Sequence, residues 1–213
     1  MSEEKTYGPL SGRRAQAARN DALILRAARE VFVADPKAPI SSVAERAGVG
    51  IGALYRRYGS KEDLLRRLSA EGLKTYTSAV EDALADEGDP WEAFANFMLR
   101  IVDADTHSLT LRLAGTFSPT EELYRQSERA QELNVELFWR TRAAGAIRPD
   151  IEVNDIALLL EQLAAVRLGD EERARQLRRR YLALLLDALH DRPGSRLPGP
   201  PPSWEEIGRR WSN

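Results

Sequence analysis

Apolar residues recur along this chain at intervals of three or four almost everywhere, and runs of alternating β-branched residues are absent. That period admits one kind of element, the amphipathic helix, in which such positions line up as a single stripe. The fold class expected is therefore all-α. In residues 19–34, Ile24, Ala28, Val31 and Phe32 share a face, while Arg19, Arg26, Arg29 and Glu30 lie elsewhere around the barrel. The segment ADPKAP ends this helix, because a proline ring removes a backbone hydrogen bond and clashes with the preceding turn.

Two short helices are expected next, over residues 40–47 and 50–58, with Gly48 as the turn between them. Ser60-Lys-Glu-Asp63 sets a hydroxyl three residues ahead of a carboxylate, a cap for a long helix reaching Leu84. Its inward positions are Leu65, Leu68, Gly72, Tyr76, Ala79 and Ala83. The triplet GDP at 88–90 breaks the chain before a helix from Trp91 to Val102, and a short apolar piece from Leu109 to Leu113 is closed by Pro119. A helix over 120–144 turns Leu123, Ala130, Leu133 and Leu137 inward; after GAIRPDIEVND, two more cover 154–168 and 171–190. The last pair is apolar on more than one face. Leu177, Tyr181, Leu184, Leu185 and Leu189 form a stripe that Leu182 and Leu186 widen, which predicts contact with a surface beyond the chain's own core. From Arg192 a proline-rich linker leads to SWEEIGRRW, where Trp204, Ile207 and Trp211 are spaced to dock on the body.

Composition narrows the chemistry. There is no cysteine, and the two histidines, His107 and His190, are far apart, so disulfides, thiolate metal sites and cysteine nucleophiles are excluded and no metal or cofactor is expected. No nucleophile–base spacing is recognisable, and Glu121-Glu122 and Glu205-Glu206 read as helix starts, so the chain is not expected to be an enzyme. No export signal or membrane span is encoded, which points to a cytoplasmic protein. Charge is divided unevenly: residues 1–67 hold 13 Lys and Arg against 8 Asp and Glu, and the remainder holds 18 against 25. A basic head on an acidic body marks the head as the part that meets a polyanion.

The stretch GVGIGALYRRYGSK, residues 48–61, fits that role. Val43, Ala44 and Ala47 can pack against Val49 and Leu54 across Gly48, the arrangement that lays a second helix into a major groove. Gly50, Gly52 and Ala53 leave the start of that helix almost bare for close approach to base edges. Tyr55, Arg56, Arg57 and Lys61 supply donors for phosphate oxygens.

The segments RNDALILRAAREVF and SSVAERAGVGIGALYRRYGSKEDLL, with A-x-x-A-G-V, L-Y-x-x-Y and S-K-E-x-L at fixed offsets, resemble the DNA-binding domain of TetR-family transcriptional regulators. GAIRPDIEVNDIALLL resembles their C-terminal halves. The resemblance implies phosphate contacts from Tyr55, Arg57 and Lys61, with Ile51, Gly52, Ala53 and Arg56 at or near the bases of double-stranded operator DNA. Departures are Gly50 and Ala53, where relatives often carry Ser or Thr, and Ser41, where a basic residue is common. Direct readout then rests on Arg56 or Arg57 toward guanine and Ala53 or Ile51 against a thymine methyl. The domains expected are a flexible basic arm (1–18, with Arg13 and Arg14, which Arg19 just beyond it can join along the DNA backbone), a helix-turn-helix domain (19–60), a larger helical ligand-binding and dimerisation domain (61–191) and a proline-rich tail (192–213).

For the body, the resemblance implies a homodimer joined through the last two helices, with Leu159, Leu163, Leu182, Leu185, Leu186 and Leu189 as interface candidates. Trp91, Phe94, Phe97, Met98, Phe117, Tyr124, Phe138 and Trp139 are candidates to line a pocket for a small, largely apolar effector, with Arg100, Asp103, His107 and Gln162 as orienting groups. The function expected is a repressor released from its operator by that ligand. The alternative is a ligand-blind DNA-binding or helical interaction protein whose aromatic residues are only core.

Overall fold

The computed structural model describes the backbone of residues 9–190 and 196–208, and side chains from residue 16. The helices are α1 (Pro9–Ala34), α2 (Ile40–Ala47), α3 (Ile51–Tyr58), α4 (Lys61–Ala85), α5 (Pro90–Ala104), α6 (Thr106–Leu113), α7 (Glu121–Ala143), α8 (Val153–Ala164), α9 (Glu171–Leu189) and α10 (Trp204–Gly208). Among the described residues the only extended pairing is an isolated antiparallel bridge between Ile147 and His190. The fold is all-α. Two helix boundaries differ from the sequence expectation by four residues or more. α1 starts at Pro9, a residue suited to a first helical turn, so residues 9–18 are helical, while residues 1–8 of the expected arm lie outside the described residues. The side chains of Arg13 and Arg14 lie outside them too, and Arg19 donates to Gln16. α8 stops at Ala164, four residues early, and Asp170 opens the next helix by accepting from the Arg173 amide.

The chain divides into two compact units, one running through Leu68 and the other starting at Ser69. In the first, Ile24, Ala28 and Phe32 of α1 are buried with Val43 and Ala44 of α2, Leu54 and Tyr58 of α3, and Leu64, Leu65 and Leu68. Gly48 ends α2 at φ +66, a left-handed position that glycine takes without steric cost, and its N–H reaches the carbonyls of Ala44 and Glu45. α4 begins as the sequence indicates: the Asp63 amide donates to Ser60 Oγ at 3.0 Å, and the hydroxyl donates to the Asp63 carboxylate at 2.7 Å.

In the second unit, Phe94, Phe97, Met98 and Ile101 of α5 pack with Leu137 and Phe138 of α7, Ile156, Leu160 and Leu163 of α8, and Leu182 and Leu189 of α9. α5 begins on Asp89, whose carboxylate accepts the amides of Trp91 and Glu92 at 3.0 Å. α5 and α9 run antiparallel: Trp91 meets the His190 ring edge-on at 4.5 Å, and Asp103 pairs with Arg179 at 2.5 Å. Arg140 of α7 reaches the end of α4 and donates to the carbonyls of Ala83, Leu84 and Asp86, satisfying acceptors that a helix C-terminus leaves open. The tail returns onto the unit. Leu197 N–H donates to Asp150 at 2.8 Å, Asn154 donates to the Pro202 carbonyl at 2.9 Å, and Ile207 is buried. Arg148, first, and the Leu197 amide hold the Asp150 carboxyl well below the usual carboxylate range. Ser203 and Glu206 form a reciprocal cap for α10; Trp204 is exposed and Trp211 lies outside the described residues.

Candidate nucleic-acid interface

α3 has two faces because its apolar residues fall four apart. Leu54 and Tyr58 turn inward, which leaves Ile51, Gly52, Ala53, Tyr55, Arg56 and Arg57 exposed together. Ser41, in the first turn of α2, is exposed as well. The glycines are informative here. Gly50 caps α3 at φ −65, a conformation open to any residue, and a Cβ added there would meet nothing within 4 Å. At Gly52 the nearest atom to such a Cβ would be Arg56 Nη1 at 3.6 Å, an ordinary contact with a flexible side chain. The chain's own packing therefore does not require either glycine, in contrast to Gly48. Their bareness serves whatever approaches α3 from outside.

The cations sort into two kinds. Arg56 is exposed and forms no ion pair among the described residues. Arg57 donates from Nε and Nη2 to the two carboxylate oxygens of Asp21, each at 2.8 Å, and the Tyr58 hydroxyl donates to the same carboxylate at 2.5 Å. The Arg57 bond, first, and the Tyr58 bond hold Asp21 below its ordinary range against the opposing effect of burial, and Asp21 in turn raises Arg57. Burial, then Asp21, pushes the Tyr58 phenol well up. A guanidinium has five N–H donors, so two bonds to Asp21 orient Arg57 and leave others facing solvent. Lys61 is different. Its ammonium donates to the Pro36 and Ala38 carbonyls at 3.1 and 2.7 Å and lies 4.9 Å from the centre of the Phe32 ring. It ties the head of α4 to the α1–α2 connection with two of its three donors. Asp21 is the residue that sequence reasoning missed, 36 positions from its partner.

In the second unit, the candidate pocket residues separate. Phe94, Phe97, Met98 and Phe138 are packed into the core, and Trp91 rests against it. Tyr124 and Trp139 are exposed, Trp139 under the Arg142 guanidinium at 4.9 Å, and Phe117 is half-buried. The eight thus divide between core and surface. The orienting groups disperse similarly: Arg100 pairs with Asp82, Asp103 with Arg179, and Gln162 is exposed. His107 lines a narrow cleft. Of the interface leucines, Leu163, Leu182 and Leu189 are buried in the chain's own core and offer no surface to a partner. Leu159, Leu185 and Leu186 are half-buried against it. The outward apolar stripe of α9 consists instead of Tyr181, Leu184 and Ala188, with Leu184 58% exposed.

Residues 24–68 match the model of bacterial regulatory proteins of the tetR family, and residues 89–191 match that of the SbtR-like transcriptional regulator C-terminal domain. Among solved structures, a TetR transcriptional regulator, SCO0520, from Streptomyces coelicolor is 27% identical over 81% of this chain and 99% of its own, with a TM-score of 0.57. A TetR transcription regulatory protein from Mycobacterium vanbaalenii is 28% identical over 84% and 99%, with a TM-score of 0.56. PfmR, a TetR family transcriptional regulator from Thermus thermophilus, is 25% identical over 80% and 96%, with a TM-score of 0.59. No curated protein matches.

Proposed function

We propose, because the chain belongs to the TetR family of bacterial regulatory proteins, that it is a sequence-specific DNA-binding regulator of the cytoplasm: a homodimeric repressor released from its operator by a small, largely apolar ligand. The observation that carries the DNA reading is the outer face of α3. Two glycines that the fold does not require sit beside Tyr55 and an unpaired Arg56, so close backbone approach and a free guanidinium coincide on one exposed surface. Arg57, aimed by Asp21, offers its remaining donors to a phosphate. Ile51 and Ala53 supply the apolar contacts, and Ser41 a hydroxyl, at the groove edge.

A dimer supplies two such helices to half-sites about 34–36 Å apart. The outward stripe of Tyr181, Leu184 and Ala188 supports this, since a C2 contact uses the same patch on both copies. Ligand release follows as a population shift, in which a coupling of about 1–3 kcal/mol relaxes operator affinity roughly 5- to 150-fold. A second reading, a ligand-blind DNA-binding protein, is favoured by the packing of Phe94, Phe97, Met98 and Phe138 into the core.

The test is selection of bound duplexes from a random pool, followed by titration of the selected fragment at several salt concentrations. A steep salt dependence with a preference of at least about a thousandfold over random duplex is expected. Equal affinity for all fragments sinks the reading. Sedimentation of Leu184→Asp beside the unaltered protein tests the dimer, and an unchanged oligomeric state argues against the α9 stripe.

A further inference from the structure

The second unit carries a buried cation that the DNA reading does not use. Arg178 of α9 is 3% exposed, and its Nε has no hydrogen-bond partner among the described residues. Burying a guanidinium costs several kcal/mol unless its donors are met, so an unmatched N–H at this depth marks a place where an acceptor belongs. Arg178 lines a narrow cleft with Asp105, His107, Ile101, Leu160 and Leu163. That cleft is small, about 10 Å³.

Arg178 meets Asp105 at 3.5 Å and Glu171 at 2.5 Å. Asp105 also accepts a hydrogen bond from the Ser108 hydroxyl, and the Glu171 side chain is 70% exposed. Arg167 lies in the same field: partial burial, first, and the repulsion of Arg112 lower it, with Arg178 adding to the effect and Asp105 and Glu171 opposing it. Arg178 is thus shared between a half-buried carboxylate, Asp105, and an exposed one, Glu171. The apolar walls are supplied by α5 and α8.

Resting on the reading of the chain as a ligand-responsive regulator, we propose that Arg178 anchors the carboxylate of a small organic acid whose hydrocarbon part lies against Ile101, Leu160 and Leu163. Glu171 holds the anchor when no acid is bound. Acid entry widens the cleft and releases Glu171 to solvent, where its carboxylate is readily hydrated. A neutral compound of the same shape gains the apolar contact but leaves the anchor with Glu171.

Calorimetric titration of the full-length protein with sodium butyrate, hexanoate and octanoate, and with the three matching primary amides, tests this. At least one acid is expected to bind about tenfold or more tightly than its amide, the difference of one charge-assisted hydrogen bond. Glu171→Ala should tighten acid binding several-fold by removing the competitor, and should tighten amide binding less, so the ratio of acid to amide affinity rises. Arg178→Gln should abolish the preference for acid. If that variant does not fold, Glu171→Ala still decides the matter. Equal binding of acid and amide, binding of none of the six, or weaker acid binding in Glu171→Ala overturns the proposal. The selected duplex is titrated in parallel. Acid binding without DNA release supports the site and refutes release by that ligand, whereas intact DNA binding with no acid binding refutes the site alone.

Discussion

Asp21→Asn isolates the charge of a network that joins α1 to α3. The carboxylate accepts two bonds from Arg57 and one from Tyr58, and asparagine keeps one acceptor oxygen for Tyr58 while losing the charge. The Arg57 side chain is 58% exposed, so its pairing is discounted to about 0.5–1 kcal/mol for solvent screening. The Tyr58 bond, partly buried and made to an ionised acceptor, contributes roughly another 0.5–1 kcal/mol above a neutral bond. The substitution should therefore destabilise the first unit by about 1–2 kcal/mol at pH 7. Asp21 is depressed in the folded state, so its contribution is complete above the unfolded value of about 3.9 and disappears as pH falls through the folded value. The deficit of Asp21→Asn relative to the parent should hold constant from pH 7 to 5 and shrink below about pH 4. All four tryptophans lie beyond residue 90, so the readout is amide hydrogen exchange in α1 and α3 rather than tryptophan fluorescence. A deficit of zero at pH 7, or one that begins to change above pH 5, refutes the assignment.

Arg56→Ala should cost about 1–3 kcal/mol of binding to the selected duplex, relax the preference at one base pair of each half-site, and leave thermal melting unchanged. Gly52→Ala should stabilise α3 by up to about 1 kcal/mol, because the added methyl meets only Arg56, while lowering DNA affinity; denaturation and duplex titration on one preparation check both signs. Truncation after Pro198 removes the Asn154 contact and the buried Ile207, and should lower the melting temperature of the second unit by a few degrees in calorimetry.

The helices and most of their breaks were legible because proline, glycine and capping residues act locally: Asp89, Ser60 and Gly48 each do in the structure what their chemistry indicates. Register on α9 was not legible. Its apolar residues cover most of the circumference, so Leu182 and Leu184 are equivalent in sequence, and only the position of α5 and α8 decides that the first is buried and the second exposed. The same holds for the aromatic residues of α5 and α7, whose composition suits a cavity wall and a packed core equally well. On α3, the exposed face was readable from the spacing of Leu54 and Tyr58. The division of labour among its cations was not, since the partners of Arg57 and Lys61 lie more than twenty residues upstream. The run VRL after Ala164 extends an apolar pattern without extending the helix, a case where periodicity outlasts backbone geometry.

The antiparallel pair formed by α5 and α9 is riveted at one end and only magnetically latched at the other. Trp91, His190 and the Ile147 bridge close the first end with ring contact and backbone bonds, which ionic strength hardly touches. Ion pairs from Asp103 to Arg179 and from Asp105 to Arg178 close the second, and counterions screen the exposed Arg179 pair. Such a zipper frays from the latched end: added salt loosens the α5–α6 corner first, so ionic strength sets how often that corner stands ajar.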